Sequence, residues 1–361
     1  MKIGIAGAGI LGRLLALQAI ELGWQINIFD QENETTNQNC SYAAAGMISP
    51  YSEIKSVEPI ILQWGLRSLE LWPHILKQLP EPVYYKQTGS LVVAHPQDQN
   101  ELQDFKNFFH YKLKQSPLEI NPREKEPGLN PSFKTGLYLS EEAHIDNIHL
   151  LTVLKNYLLS NHVKWHSNFK VQILKSHKII GEASEHDFDW VFDCRGLGAK
   201  DVFKDLRGVR GELIHLQSKE ISFTHSIRLL HPRYTIYLVP KPNNTYAIGA
   251  SSIESEDYSP ISVQTTLELL SAAYSLHRGF AEARILSTHV HCRPTLPNHL
   301  PIIETNPGIT RINGLYRHGY LLSPALVEQA ISGVNEITGS NIENIVQQNR
   351  EQRIKQHSGF E

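Results

Sequence analysis

The sequence predicts an α/β fold in which a Rossmann-type nucleotide-binding domain is interleaved with an α+β domain built on an antiparallel sheet. The first observation is a short apolar strand near the N-terminus that runs into a glycine turn and a helical repeat of leucines. The second is the alternation of apolar residues in VRGELIHL, IYLVP and YAIGAS, between residues 209 and 253, which is typical of antiparallel strands. A length of 361 residues is enough for two such domains.

The glycine turn lies in GIAGAGILGR, residues 4–13, where Gly7, Gly9 and Gly12 have the spacing G-x-G-x-x-G. Gly7 permits a tight turn, Gly9 lets the backbone approach a pyrophosphate, and Gly12 lets the helix pack closely on the strand. Free N–H groups at the helix N-terminus then face the phosphates. A second strand, WQINIFD, ends at Asp30, whose carboxylate can bind a ribose diol and disfavours NADP. This pattern predicts a dinucleotide site and leaves FAD and NAD as alternatives.

A run of very small residues follows the second strand, at positions 43–46 of the segment NCSYAAAGMISPYSE. Small side chains let a backbone come close to a flat ring system. The same residues also serve tight helix–helix contacts, so the run alone leaves both interpretations open.

Five segments, in this order, resemble the D-amino acid oxidase superfamily of flavoproteins, and within it the glycine oxidases linked to bacterial thiazole synthesis. They are GAGILG, CSYAAAGMISP, YLVPKPNNTYAIGAS, CRPTLPNHLPIIE and GLYRHGYLLSPA, and they span nearly the whole chain. The resemblance implies FAD as the cofactor, a small amino acid or amine as substrate, and oxygen or another electron acceptor. We expect an FAD-binding domain made of residues 1–80, 141–204 and 291–361, and a substrate-binding domain made of residues 81–140 and 205–290.

The resemblance also implies a set of FAD contacts besides the three glycines. They lie in the glycine turn, at the ribose, near the flavin, at the adenine side and in a loop that closes over the flavin. They are Ile10, Leu11, Asp30, Gln31, Cys40, Ser41, Ala45, Gly46, Met47, Val171, Leu315, Tyr316, Arg317, His318, Gly319, Tyr320 and Leu321.

Three residues match family positions at the substrate: Arg293, Arg317 and Tyr237. The resemblance implies that Arg293 and Tyr237 bind the substrate carboxylate and that Arg317 either assists with the carboxylate or holds the flavin loop. A planar guanidinium can pair with both oxygens of a carboxylate in a partly dry pocket. The ordinary alternatives are a salt bridge for each arginine and a core position for the tyrosine. Tyr246 or Tyr234 would replace Tyr237 if the strand register differs.

By this resemblance the protein is expected to be an enzyme that deaminates a small amino acid, glycine by preference, by hydride transfer from Cα to flavin N5. The expected products are an imine or oxo acid and hydrogen peroxide, with a place in thiazole synthesis. No acid or base side chain is required, because the cofactor carries the chemistry. The alternatives are an oxidase or dehydrogenase for D-amino acids, sarcosine or proline, and a flavoprotein that assists maturation of a partner enzyme without turnover.

Composition excludes several other classes. The formal net charge is −3 and no basic run is present, so we expect no nucleic-acid partner. The three cysteines, Cys40, Cys194 and Cys292, lie far apart, which disfavours disulfides and indicates a reducing compartment. No stretch reaches the roughly 20 apolar residues of a membrane span. These features predict a cytoplasmic protein and leave homo-oligomerisation open.

Two further groups of polar residues near the expected site are the histidines of HVHCR and Arg195. In HVHCR, His289 and His291 share one strand face, but no further ligand follows at a useful spacing, so we predict no metal site. Arg195 could neutralise a phosphate or pair with an acid such as Asp193 or Asp201.

Overall fold

The computed structural model describes residues 1–33, 39–54, 58–233 and 235–339. Its helices are α1 (Ile10–Glu21), α2 (Pro59–Lys77), α3 (Gln99–Leu113), α4 (Asn147–Ser160), α5 (Val263–Leu276) and α6 (Gly319–Thr338). Its strands are β1 (Lys2–Ala6), β2 (Gln25–Phe29), β3 (Met47–Ile48), β4 (Tyr85–Lys86), β5 (Ser90–Ala94), β6 (Leu118–Ile120), β7 (Gly136–Leu139), β8 (Ala143–Ile145), β9 (Lys164–His166), β10 (Ile173–Lys175), β11 (Lys178–Ile180), β12 (Glu185–Asp187), β13 (Trp190–Asp193), β14 (Arg207–Gln217), β15 (Ser226–Leu230), β16 (Thr235–Lys241), β17 (Thr245–Gly249), β18 (Arg284–Thr295), β19 (Ile302–Asn306) and β20 (Ile309–Asn313).

A six-stranded sheet, in the order β19-β20-β13-β1-β2-β9, carries the glycine turn. Its neighbours are parallel except for the edge pair β19–β20. As expected for a parallel sheet, both faces are covered. Ile3 and Ile5 of β1 share a core cluster with residues of α1, α2, α4 and α6. On the opposite face, a Cβ at Gly4 would lie 2.6 Å from the Phe188 ring, next to the small antiparallel sheet β10-β11-β12.

An eight-stranded sheet, in the order β18-β14-β17-β16-β15-β5-β7-β6, forms the second layer. Its neighbours are antiparallel except for β5 and β15, which pair in parallel although they are far apart in the sequence. Along β16, Ile236 and Leu238 contribute to a core cluster shared with α5, whereas Tyr237 and Val239 contribute to a different cluster. This period of two gives the sheet one face for packing and one face for the site.

A short three-stranded sheet, β3-β8-β4, joins the two layers. Met47 of β3 pairs with His144 of β8, and β8 leads directly into α4. The predicted mixture of parallel and antiparallel layers is therefore confirmed, with the parallel β5–β15 pair as an addition that alternation of residues could not indicate. Among the described residues, no helix combines the length and apolarity that a membrane crossing requires.

His144 is fully buried in the three-stranded sheet. Neither of its ring nitrogens has a hydrogen-bond partner among the described residues. Burial and the nearby ammonium of Lys241 lower the pKa of His144 to about 3. The imidazole is therefore neutral in the folded protein under physiological conditions.

We expect His144→Leu to flatten the loss of stability in acid. Below the usual histidine pKa of about 6.5, His144 is protonated in the unfolded chain, whereas in the folded chain it stays neutral down to about pH 3. The free energy of unfolding therefore decreases as the pH is lowered through this window, and this group contributes up to about 1.4 kcal/mol per pH unit. Melting temperatures measured from pH 7 to pH 4.5 should decline less steeply in the variant, and the same substitution at exposed His74 is the matched control. An unchanged slope would contradict the assignment.

Candidate active site

A cavity of about 860 Å³ opens between the two layers at the carboxyl ends of β1 and β2. Its size is at the upper end for small-molecule sites, as a dinucleotide and a substrate together require. All but one of the predicted site residues line it, namely Gly7, Gly9, Ile10, Leu11, Asp30, Gln31, Cys40, Ser41, Ala45, Gly46, Met47, Val171, Tyr237, Arg293, Leu315, Tyr316, Arg317, His318, Gly319, Tyr320 and Leu321. The exception, Gly12, lies behind the glycine turn.

The glycine turn is closed by backbone contacts that leave no room for side chains. Gly7 has a φ of +101°, and a Cβ there would overlap the carbonyl of Cys194. A Cβ at Gly12 would overlap the carbonyl oxygen of Gly7. Gly9 caps α1 and leaves the helix N-terminus facing the cavity. This is the arrangement that binds phosphate through backbone N–H groups.

Two polar side chains from the neighbouring segments fix this turn. Asp30, directly after β2, accepts a hydrogen bond from the backbone N–H of Ala8, with an N···O distance of 2.6 Å. The hydroxyl oxygen of Ser41 accepts from the N–H of Ile10 at 2.9 Å. The carboxylate is thereby oriented toward the turn, at the position where a ribose would lie beside the phosphates.

Arg13 supports the turn from inside the protein and was not predicted from the sequence. Its side chain is buried on α1, and its Nε donates a hydrogen bond to the carbonyl of Ala8 at 2.7 Å. A second guanidinium nitrogen donates to the carbonyl of Leu151 on α4. The signal was a charged residue inside the apolar repeat of α1, which ordinarily indicates a solvent-facing position.

The small-residue segment contacts both layers, since Ala44 packs against the core cluster that contains residues of α1, α4 and α6. Ala45 shares a cluster with Leu213, Val239 and Ala247 of the eight-stranded sheet. Gly46 has a φ of +71°, and a Cβ there would overlap the carbonyl of Ile145.

Behind this segment, Lys241 and Asn147 tie it to the neighbouring strands and helix. The ammonium of Lys241 donates to the Ile145 carbonyl at 2.6 Å and to the Asn147 side chain at 2.9 Å. Asn147 in turn donates to the carbonyls of Ser41 and Tyr42 at 3.1 and 3.2 Å. Residues 43–46 thus present no side chain larger than a methyl group to the cavity, and the hydrogen bonds of Lys241 and Asn147 anchor the segment from behind.

Arg293 and Tyr237 face the cavity from the eight-stranded sheet. Arg293 lies on β18 opposite β14, and a Cβ at Gly211 would overlap its guanidinium. One guanidinium nitrogen donates to the carbonyl of Ser251 at 3.0 Å. Burial raises the pKa of Tyr237, so its phenol stays protonated and can donate a hydrogen bond. Tyr246 lies on the opposite face, where its hydroxyl donates to the Ile221 carbonyl at 2.6 Å.

Tyr246 therefore belongs to the core beneath α5 and does not replace Tyr237. The other alternative, Tyr234, lies outside the described residues.

Arg317 reaches the cavity from the loop before α6. Its guanidinium lies 3.4 Å from a carboxylate oxygen of Glu53 and its side chain stays about one third exposed. The charge of Glu53 raises the pKa of Arg317. His318 beside it is buried, which lowers the pKa of His318 to about 4 and keeps the imidazole neutral.

Glu53 and Arg228 complete this end of the cavity, and both were missed in the sequence. A carboxylate oxygen of Glu53 lies 2.6 Å from a guanidinium nitrogen of Arg228 on β15. Although burial raises the pKa of Glu53, Arg228 and Arg317 together hold it well below its usual range. The only local signal was a carboxylate closing the segment ISPYSE, since Arg228 follows 175 residues later.

The remaining polar candidates have structural partners. Arg195 forms ion pairs with Asp193 at 2.8 Å and Asp201 at 3.1 Å, which favours the acid-pairing interpretation over a phosphate partner. Burial raises the pKa of Cys40 to about 11, and burial also raises the pKa of Cys194, so both remain thiols. No group of three potential metal ligands occurs in the described part of the chain.

Comparison with known proteins identifies the family. Residues 2–330 match the DAO family of FAD-dependent oxidoreductases. The chain belongs to this family. The predicted family and the cofactor FAD are confirmed. The cavity fits FAD because the walls that a dinucleotide and a flat ring must approach closely, at Gly9 and at residues 43–46, carry no side chain larger than a methyl group.

Members of the DAO family with related sequences and structures are known. A Rhizobium etli protein named as a thiamine biosynthesis oxidoreductase, ThiO, is 34% identical over 326 residues, which are 90% of this chain and 94% of the relative. A glycine oxidase of Pseudomonas putida is 23% identical over 347 residues, with 90% and 92% covered. The crystal structure of glycine oxidase from Geobacillus kaustophilus superimposes with a TM-score of 0.81 at 20% identity, covering 92% of this chain and 94% of that one.

We expect Gly12→Ala to lower both FAD content and thermal stability. The added methyl group would overlap the Gly7 carbonyl, so the turn must open and its N–H groups lose their common direction. The bound FAD per protein, from the visible spectrum, and the melting temperature measure the two effects.

Gly128→Ala is the matched control, because its Cβ would meet its nearest neighbour, His277, at 3.4 Å, an ordinary contact. A Gly12→Ala protein with full FAD content and unchanged melting temperature would contradict the role of the turn.

Proposed function

We propose that the protein oxidatively deaminates a small amino acid, with glycine preferred. The overall reaction converts glycine, oxygen and water to glyoxylate, ammonia and hydrogen peroxide. The observation that carries the proposal is the Arg293 guanidinium, which lies over Gly211 in a cavity wall and faces the cofactor site. Among the described residues it has no ion pair with a carboxylate, in contrast to Arg195, Arg228 and Arg317. A substrate carboxylate can therefore bind there without displacing another acid.

The side chains around Arg293 supply the remaining requirements for binding an amino acid. Its planar fork pairs with both oxygens of the carboxylate, and the neutral phenol of Tyr237 can donate a further hydrogen bond. Bound FAD supplies the acceptor for the hydride that leaves the substrate Cα. The protein's task is to hold that carbon in a fixed direction and to keep water from the carboxylate.

The names of the relatives support the choice of substrate. The P. putida and G. kaustophilus relatives are glycine oxidases, and the R. etli relative is named for thiamine biosynthesis. We accordingly propose that the imine or oxo acid made here feeds thiazole formation in thiamine synthesis. The three cysteines are free thiols, which supports a reducing cytoplasm as the place of the reaction.

We also retain the proposed division of the chain into two domains. Residues 1–80, 141–204 and 291–361 would bind FAD, and residues 81–140 and 205–290 would bind substrate. In support, the strands β1, β2, β9, β13, β19 and β20 of the six-stranded sheet all begin and end within the first set.

Anaerobic bleaching of the visible flavin absorbance tests the reaction class directly. Glycine should bleach the protein faster than sarcosine, D-alanine or proline, and admitting oxygen should restore the colour with release of hydrogen peroxide. If sarcosine, D-alanine or proline bleaches the flavin faster than glycine, that compound is the preferred substrate. Recovery with a quinone and not with oxygen would make the protein a dehydrogenase, and no bleaching by any amine would remove the enzymatic proposal.

We expect Arg293→Lys to weaken glycine turnover without loss of FAD. A lysine keeps the charge but replaces the two-pronged hydrogen bond with a point contact. A lost hydrogen bond to a charged group corresponds to about a 10- to 100-fold fall in kcat/KM. Exposed Arg67→Lys is the matched control, since Arg67 pairs with Glu70 and Glu328 far from the cavity. Equal kcat/KM in both variants would show that Arg293 does not bind substrate.

Gly211→Ala should impair the same step by moving Arg293. The atom that the new methyl group would meet is the far end of a flexible side chain, so the fold can adjust at little cost. We expect a KM for glycine raised at least tenfold with FAD content preserved. An unchanged KM would indicate that the guanidinium can shift without consequence for the substrate.

A further inference from the structure

We propose that Glu53 recognises the substrate's amino group, so that Arg293 binds the carboxylate of an amino acid and Glu53 binds its nitrogen. This inference rests on the proposed function and adds the residue that distinguishes an amino acid from other small acids. Glu53 lines the cavity together with Arg293 and Tyr237. Tyr237 lies within electrostatic reach of both the Arg293 guanidinium and the Glu53 carboxylate.

Glu53 is held in place by a second buried carboxyl group. A side-chain oxygen of Glu142 accepts hydrogen bonds from the backbone N–H groups of Tyr51 and Ser52, at 2.9 and 2.6 Å. Its other oxygen accepts from the hydroxyls of Ser52 and Ser90. Two backbone N–H groups and one hydroxyl of the two residues before Glu53 are therefore held by Glu142, which also binds Ser90 on β5. A side chain presented in this way has a defined direction, as a recognition residue requires.

The surroundings of Glu53 keep it an acceptor. Arg228 at 2.6 Å and Arg317 at 3.4 Å hold its pKa well below the usual range, against the effect of burial. His318 and Tyr237 are further titratable neighbours of Glu53; burial lowers the pKa of His318 to about 4 and raises that of Tyr237, so both are neutral. An ionised carboxylate accepts hydrogen bonds and cannot donate them, so it suits an N–H group and repels a second acid. A carboxylate oxygen can accept more than one hydrogen bond, so pairing with Arg228 does not prevent this contact.

The charges at this end of the cavity complement an amino acid. Arg228 is matched by Glu53, whereas Arg293 has no such ion pair among the described residues. The carboxylate of the substrate suits Arg293, and its nitrogen suits the negative side chain of Glu53 in the same cavity. A 2-hydroxy acid of the same length, such as glycolate, offers the carboxylate but only a hydroxyl in place of the amine.

A counter-ion role is the alternative that the experiment must separate. If Glu53 serves only to neutralise Arg228, removing both charges together restores a balanced site. If Glu53 contacts the amino group, the double change does not restore it. Three proteins are compared: wild type, Glu53→Gln, and the double variant Glu53→Gln with Arg228→Gln.

The measurement uses two ligands on the FAD-loaded protein. The apparent Kd for glycine comes from the rate of anaerobic flavin bleaching, and the Kd for glycolate comes from its effect on the visible spectrum. In both variants we expect the Kd for glycine to rise about 10- to 100-fold, the range for a lost hydrogen bond to a charged group. The Kd for glycolate should change less than threefold. Exposed Glu119→Gln, which breaks only a surface pair with Lys106, is the matched control and should change neither.

Two results would overturn the inference. One is recovery of glycine binding to within threefold of wild type in the double variant, which would assign Glu53 to charge balance. The other is equal weakening of glycine and glycolate, which would indicate general damage to the site. If Glu53→Gln alone fails to retain FAD because Arg228 is left without its partner, the double variant carries the same comparison. Failure of the wild type to bleach with glycine would instead reject the proposed function.

Discussion

The packing of residues 45–47 between the two layers is the constraint on which the site depends. Ala45 contacts the eight-stranded sheet, while Met47 pairs with β8, which leads into the helices of the six-stranded layer. Because Gly46 has no room for a side chain on the Ile145 side, the segment packs closely there, and residues 43–46 present nothing larger than a methyl group to the cavity. The glycine turn on one side and Arg293 on the other are thereby held in a fixed relation across one cavity.

Electrostatic pairing then decides which charged groups remain available for a ligand. The cavity contains several arginines, and most of them are matched by acids: Arg195 by Asp193, and Arg228 by Glu53. Unpaired charges in a buried site cost several kcal/mol, so such pairing is required for the fold itself. Arg293 lies apart from these pairs and instead donates to a backbone carbonyl. This distribution of charge thus leaves the guanidinium of Arg293 suited to an external carboxylate.

The site was predicted best where its determinants are close together in the sequence. The turn at Gly7 and Gly9 follows from one strand–turn–helix unit, and its geometry agrees with the expectation. Only the strand register could decide which of Tyr237 and Tyr246 faces the cavity. Tyr246 pairs with Pro240, which is three positions from Tyr237 on β16, and residues an odd number of positions apart lie on opposite faces of a strand. Arg13 was missed because an isolated charge in a helical repeat ordinarily indicates solvent, whereas this one is satisfied by two carbonyls.

The sequence by itself determined the nucleotide turn, because glycine spacing and apolar periodicity act over a few residues and need no distant partner. The family and the cofactor FAD followed from the five segments that resemble the family. The sequence also indicated Arg293 and Tyr237 through matched segments. Only the tertiary structure decided the parallel β5–β15 pair and the contact between Glu53 and Arg228. Those pairings join segments more than 100 residues apart, and the strength of a buried charge pair depends on distance and burial, which no local pattern contains.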